Sequence, residues 1–294
     1  MDSKLHVALL TALAMVAFAG NSLLCRAALL PGPSGALLDP VSFTVIRLAC
    51  GALVLAPALL SKPASPTARD SAGALRAGAT LLVYALAFSI SYTRIGTGTG
   101  ALILFGVVQL TMFASAGLGG EHIGARRSFG ALLAFGGLCL LLAPTGGQLG
   151  SVDPLGAALM TIAGVGWGLY TLLGRASRAP IVHNAVNFLV ALPVTLVVLG
   201  GTALGGAAAF SWEGAALAAA SGALCSGVGY SIWYRALRGH SSVSAAISQL
   251  TVPVIAAGLG AGLLDEALTW TWAASAALVL VGVALGLKAP PKAP

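Results

Sequence analysis

The sequence predicts an all-α integral membrane protein: ten transmembrane helices forming two inverted five-helix repeats around a central cavity, with both termini cytoplasmic. Three observations carry that prediction: the composition, the placement of the basic residues, and a match between the two halves of the chain. Of 294 residues, 58% are hydrophobic and 8% charged, with mean hydropathy +0.96, whereas a soluble domain carries about 25% charged residues. Ten crossings at roughly 20 apolar residues each use about two thirds of the length. The composition therefore excludes a soluble globular protein and leaves no room for a separate soluble domain.

Apolar runs punctuated by Gly, Pro and charge give spans at 5–26, 41–60, 74–92, 99–118, 128–143, 155–174, 184–203, 214–234, 243–263 and 270–287. The first imitates a secretory leader, since Lys4 precedes an apolar run and Ala17-Phe18-Ala19 resembles a cleavage site. Its apolar stretch continues to Leu24, long enough to span, and it has a counterpart later in the chain, so it is taken as the first helix. Only Thr93-Arg94-Ile95-Gly96-Thr97-Gly98 separates the third span from the fourth, and the fifth is short. Pro57, Pro193 and Pro253 lie inside expected spans, where each removes a helix hydrogen bond. Pro253, beside Gln249, is the expected hinge.

Orientation follows from the basic residues. If the N-terminus is cytoplasmic, Lys4, Lys62, Arg69, Arg76, Arg126, Arg127, Arg175, Arg178, Arg235, Arg238, Lys288 and Lys292 all fall inside. Arg26 and Arg94 fall outside, and Arg47 lies within the second helix. The positive-inside rule then places both termini in the cytoplasm; the membrane expected is a bacterial-type inner (plasma) membrane. An odd number of spans would spoil this sorting. The net charge of +7 is dispersed at helix ends rather than gathered on one face, so no nucleic-acid partner is expected. The cysteines, Cys25, Cys50, Cys139 and Cys225, sit in apolar runs without metal or redox spacing and are expected to pack.

The internal match divides the chain into 1–147 and 148–294. Phe18-Ala19, Asn21 and Arg26 align with Trp167-Gly168, Tyr170 and Arg175. Pro40 and Arg47 align with Pro180 and Asn187, Gln109-Leu110-Thr111 with Gln249-Leu250-Thr251, and Glu121 and Gly137 with Glu266 and Gly282. Five helices per copy is an odd number, so the second copy is inverted relative to the first. Inverted repeats recur in secondary transporters, with the substrate held near the midplane between them.

On these residues the chain resembles the drug/metabolite transporter superfamily, in its ten-helix branch with paired EamA-type domains. The resemblance rests on Trp167-Gly168 with its echo Phe18-Ala19, on Asp39-Pro40 followed by Arg47, and on the run Gly98 to Phe105. Pro253 followed by Asp265-Glu266, and the glycine-rich tenth span, complete it. The chain looks most like the YddG-type amino-acid exporters. The resemblance implies a bundle with a central cavity, alternating access, and outward movement of amino acids, related metabolites or toxic compounds. It departs from the small multidrug branch in lacking an acidic residue within the first helix.

Residues able to do chemistry are sparse. The four lysines follow no Walker-type glycine pattern, which excludes ATP hydrolysis. His6, His122, His183 and His240 show no paired ligand spacing. No catalytic residue, metal or cofactor is expected, and the chain is not expected to be an enzyme. Asp2, Asp39, Asp70, Glu121, Asp153, Glu213, Asp265 and Glu266 all map to tails, loops or helix ends, so no intramembrane carboxylate offers a proton relay. Gradient-driven movement is the simpler expectation.

The candidate substrate-binding residues are Asn21, Tyr84, Phe88, Gln109, Trp167, Tyr170, Asn187 and Gln249. Tyr84 and Phe88 share a helical stripe with Ser91, as do Ser226, Tyr230 and Trp233. Such rings suit partly apolar solutes, but they equally suit core packing or, for Trp233, Tyr234, Trp270 and Trp272 near span ends, an interfacial belt. Gln109 and Gln249 line a cavity or bond across a helix interface. Arg47 either holds a substrate carboxylate or anchors helix packing through carbonyls or Asn21.

The expected function is secondary export of small amphipathic metabolites, amino acids including aromatic and hydrophobic ones above all. Rivals are proton-coupled export of drugs or other metabolites, a polytopic enzyme acting on lipid-linked substrates, and a non-transporting receptor subunit. The expected partners are a small-molecule substrate and the lipid bilayer. Ten helices already close a cavity, so a monomer suffices.

Overall fold

A computed structural model of the chain describes residues 3–29, 31–32, 35–60, 68–95, 97–120, 124–141, 153–175, 179–204, 209–263 and 270–287. The helices are α1 (Ser3–Leu29), α2 (Pro40–Leu60), α3 (Ala68–Tyr92), α4 (Thr97–Leu118), α5 (Ala125–Leu141), α6 (Pro154–Arg175) and α7 (Pro180–Leu204). An eighth rod runs from α8 (Trp212–Ala220) through a π-helical stretch, Ser221–Val228, into α9 (Gly229–Ala236). The ninth is α10 (Ser242–Gln249) followed by α11 (Val252–Leu263), and the tenth is α12 (Trp270–Leu287). Among the described residues the helices thus make ten rods, each within a few residues of an expected span. Seven are long and apolar enough to cross a bilayer, and shorter apolar stretches lie at Ile103–Leu118, Ser128–Gly137 and Ala273–Leu285. The only additions to an all-helical chain among these residues are a minimal hairpin, Pro31–Gly32 with Gly35–Ala36, and one bridge between Leu38 and Phe210.

The distribution of side chains is that of a protein dissolved in lipid. Leu53, Leu118, Leu132 and Val197 are largely exposed, while Arg47, Asn21, Asn187 and Gln249 are buried. Water would penalise that much exposed aliphatic surface, and lipid would penalise the polar groups if they faced outward. The chain is a multi-pass membrane protein.

Acidic residues serve helix starts. Asp39 Oδ1 accepts from the amides of Val41 and Ser42, each at 2.9 Å, with Pro40 as the first helical residue. Asp153 Oδ1 accepts from Gly156 N at 2.6 Å ahead of Pro154. Both pair an N-cap with proline at the first position, where the free amides and the helix dipole favour a carboxylate. Asp2, Glu121, Asp265 and Glu266 lie outside the described residues, as does the expected boundary between halves at 147–148.

Helix packing follows a rule of exchange. α2 packs on α7 and α5 on α12; α3 packs on α6 and α7, while the eighth rod packs on α1 and α2; α4 packs on α6, while the ninth rod packs on α1. Swapping each rod for the one five places along returns the same set of pairs. Single residues obey it too. A Cβ on Gly137 would press on Ser275 O at 3.0 Å and Val279 at 3.0 Å, and one on Gly282 would press on Gly130 O and Ala134 N, each at 2.6 Å. Each of these residues in α5 has its counterpart in α12 at 145 positions' separation. Likewise Gly78 abuts the carbonyl of Asn187 and Gly222 that of Arg47, the aligned pair in α7 and α2.

Of the two packings open to Trp233 and Tyr234, belt or core, the structure shows the core: they are 0% and 2% exposed, where the eighth rod meets α1 and α6; Trp270, at 92%, sits on the surface. Pro57 and Pro193 leave α2 and α7 continuous. At Pro253 the helix does break: Leu250 and Thr251 close tight turns onto Ile247 O and Ser248 O, and α11 restarts beyond them.

Candidate functional site

An aromatic layer closes the middle of the bundle. Phe18 from α1 stands edge-on to Trp167 (5.2 Å between centroids), Tyr230 (5.8 Å) and Trp233 (5.8 Å). Trp167 from α6 lies 4.7 Å from Tyr230 and 5.1 Å from Tyr84 of α3, which meets Phe88 at 5.4 Å. Edge and tilted contacts of this kind are each worth about 1 kcal/mol beyond burial. The rings enclose a void of about 10 Å³ bounded by Phe18, Asn21, Ser22, Tyr84, Phe88, Leu104, Phe105, Trp167 and Tyr230. That is room for about one water, so the chamber is occluded.

Behind the rings runs a buried polar web. Arg47, 1% exposed, donates through Nε to Ser226 Oγ at 2.9 Å and through Nη2 to the hydroxyls of Tyr230 at 2.6 Å and Tyr84 at 3.2 Å. Its guanidinium also lies 5.2 Å from the Tyr84 ring and 5.5 Å from the Phe88 ring, within the range of cation–aromatic attraction. Asn21 Nδ2 donates to the Tyr84 hydroxyl at 3.4 Å, and its Oδ1 accepts from Ser221 at 2.6 Å. The π-helical stretch supplies Ser221 and Ser226. Gly222, between them, lies so close to the Arg47 backbone that a Cβ there would overlap its carbonyl. π segments frequently mark functional positions.

On the opposite wall Trp167 Nε1 donates to Gln249 Oε1 at 2.6 Å, and Gln249 Nε2 reaches Met112 Sδ at 3.4 Å. Tyr170 bonds to Asn184, and Asn187 Nδ2 donates to the Tyr170 hydroxyl at 3.4 Å. The tryptophan and its amide thus join α6 to the ninth rod just ahead of the break at Leu250.

From the end of the bundle that carries Lys4, a cleft of about 880 Å³ runs inward between α1, α10, α11 and α12. Its deep wall includes Met15 and Ser248, one turn from Phe18 and adjacent to Gln249. Thr11, Ser244, Ser248 and Thr251 form its polar floor, and His240 at the mouth bonds to Thr11 Oγ1 at 2.9 Å. Burial, and then the charge of Arg175, hold His240 below its usual pKa of 6.5. The interface related by exchange, α6 against α4, is packed shut: a Cβ on Gly164 would meet Val107 at 2.7 Å and Leu104 O at 2.9 Å, and one on Gly168 would meet Thr111 at 3.0 Å. At the far end Arg26 donates to Tyr92 O at 2.8 Å, Ser91 to Gly156 O at 2.6 Å, and Arg94 pairs with Asp153 at 3.6 Å.

Of the residues singled out in the sequence, Asn21, Tyr84, Phe88 and Trp167 bound the void and Gln249 bonds to one of its walls. Tyr170 stands one ring behind, 5.8 Å from Trp167, with Asn187 on its hydroxyl. Gln109 is buried beside the chamber without bounding it, and its Oε1 has no partner among the described residues. Sequence reasoning left out Phe18, Ser22, Leu104, Phe105, Tyr230 and Ser226. Tyr230 and Ser226 carried a signal, their shared stripe; Leu104 and Phe105 are ordinary apolar residues on a helix with no polar face.

The family model for the EamA-like transporter family matches residues 154–287. An uncharacterised protein of Pseudomonas aeruginosa is 48% identical over 280 residues, 94% of this chain and 93% of that one. An uncharacterised transporter of Archaeoglobus fulgidus is 28% identical over 97% of this chain and 98% of its own. A protein of known crystal structure superposes with a TM-score of 0.72 over 96% of each chain at 19% identity, which supports the fold alone.

Proposed function

We propose, from the match of the EamA-like transporter family model to residues 154–287 and the likeness to a transporter of Archaeoglobus fulgidus, that the chain exports small amphipathic metabolites, amino acids with aromatic or hydrophobic side chains foremost, by alternating access between two inverted repeats. The observation that carries this reading is the difference between two equivalent interfaces. Two repeats with the same packing pairs have one interface open as a cleft, α1 against the ninth rod, and its counterpart closed, α6 against α4. A carrier caught with one half-path open has that form.

The positive-inside count makes the Lys4 end cytoplasmic, so the cleft is the inward half-path. The aromatic layer is the barrier at its inner end. The termini are cytoplasmic in a bacterial-type inner membrane, and one chain encloses the whole path. Rings with embedded amides suit a solute having an apolar body and a polar head. The carboxylates placed by the structure sit at helix starts, so transport runs down the solute's own gradient. Uptake of labelled amino acids into proteoliposomes, with and without a proton gradient, tests this. Saturable uptake indifferent to the proton gradient supports it; no uptake of any amino acid, or uptake only with the gradient, overturns the substrate or the coupling respectively.

A further inference from the structure

The polar web behind the aromatic layer holds a positive charge and more donors than acceptors. Arg47 carries five N–H groups, is 1% exposed, and its Nη1 has no partner among the described residues. Its neighbours take what they can: Ser226 accepts from Nε, and Tyr84 and Tyr230 both accept from Nη2. The Tyr84 oxygen also accepts from Asn21 Nδ2, which uses both of its lone pairs and turns its own proton elsewhere. Asn21 Oδ1 accepts from Ser221 rather than from the guanidinium.

Among the described residues no carboxylate answers this charge. Asp39 is on the same helix, eight residues and about 12 Å of rise away, where its Oδ1 caps α2. Asp153 and Glu213 sit at the starts of α6 and α8, at that same end. An unpaired guanidinium in a dry interior is costly and is retained where an anion completes it.

We infer that Arg47, with the hydroxyls of Tyr84 and Tyr230 that it polarises, is an anion subsite that takes the carboxylate of the transported solute. Both tyrosines bound the void and hold the guanidinium directly behind that wall, and Phe18 and Trp167 are left to receive the apolar part. This deepens the export reading and rests on it for the identity of the solute. The same donor set would accept a free inorganic anion, and the two sources differ in what must accompany the negative charge.

The test is equilibrium binding to the purified full-length chain, followed by quenching of Trp167 fluorescence against a Trp167→Phe background. The ligands are L-phenylalanine, L-phenylalaninamide, 3-phenylpropionate and chloride, the last exchanged for methanesulfonate. Phenylalanine and phenylpropionate are expected to bind at least about tenfold more tightly than the amide. Arg47→Gln should abolish that preference and Arg47→Lys retain part of it. The comparison of acid with amide uses the wild-type protein, so it decides even if Arg47→Gln fails to fold. Equal binding of acid and amide overturns the inference, and a response to chloride with none to either carboxylate overturns its assignment to the solute. Phenylpropionate binding without phenylalanine binding keeps the subsite and removes the amino-acid reading instead.

Discussion

The hydrogen bond from Trp167 to Gln249 ties the aromatic layer to the ninth rod, and it divides two functions of one side chain. Trp167→Phe keeps most of the ring but leaves the Gln249 oxygen unpaired in an apolar layer, a cost of about 1 kcal/mol. Trp167→Ala removes the wall as well. Initial rates in proteoliposomes should fall severalfold for the first and to near background for the second; equal rates would show that the ring does not bound the path. His240 gives a separate prediction. Its pKa is lower in the folded chain than the usual 6.5, so as pH falls below 6.5 the unfolded chain binds the extra proton first and stability drops. Above 6.5 this contribution is fully present. Thermal midpoints should therefore decline from about pH 7 to about pH 5, with a shallower decline in His240→Gln; parallel curves would place the titration elsewhere. Few of these relations were legible in the sequence. Arg47 stood out as a charge within an apolar run, but its partners Ser226 and Tyr230 lie 179 and 183 residues away, and no local spacing encodes such a meeting.

Among elements, the eighth rod departs furthest from what periodicity predicts. An apolar run at 214–234 specifies a span, yet nothing in Ser221–Val228 distinguishes a π from an α turn, and the backbone that this stretch meets most closely, at Arg47, is far away in the sequence. Gly222→Ala would drive a Cβ into that backbone, with its carbonyl carbon at 2.8 Å, and should cost about 2 kcal/mol or more. Its counterpart Gly78→Ala meets mainly a Val190 methyl at 2.6 Å, which has more freedom to yield. Thermal unfolding in detergent should rank Gly222→Ala as clearly the more damaging; the opposite order would refute the close crossing. In the ninth rod the sequence did mark the break. Pro253 lacks the amide that would bond to Gln249 O, and the chain unwinds at Leu250 and Thr251. Pro253→Ala should let the rod run straight and slow turnover severalfold with folding intact, and undiminished turnover would remove the hinge.

For the whole molecule, the number and order of helical rods were legible because apolar length is a property of composition, and seven of the ten are long and apolar enough to span. Which interface stands open was not legible: both halves offer a glycine- and alanine-rich crossing, and the closed one differs only in how Gly164 and Gly168 seat against α4. Ser248 and Val108 of α4 occupy equivalent positions 140 residues apart; both are buried, at 2% and 0% exposed, but Ser248 lines the cleft and Val108 does not. The decisive measurement is the reactivity of Ser248→Cys and Val108→Cys, in a chain with Cys25, Cys50, Cys139 and Cys225 replaced, toward an impermeant thiol reagent applied to each face. Without solute, Ser248→Cys should react from the Lys4 side and Val108→Cys should be silent. Imposing a solute gradient should protect the first and make the second reactive from the opposite face. Transport with Val108→Cys silent under every condition, or both positions reactive at once, would contradict alternating access between the two repeats.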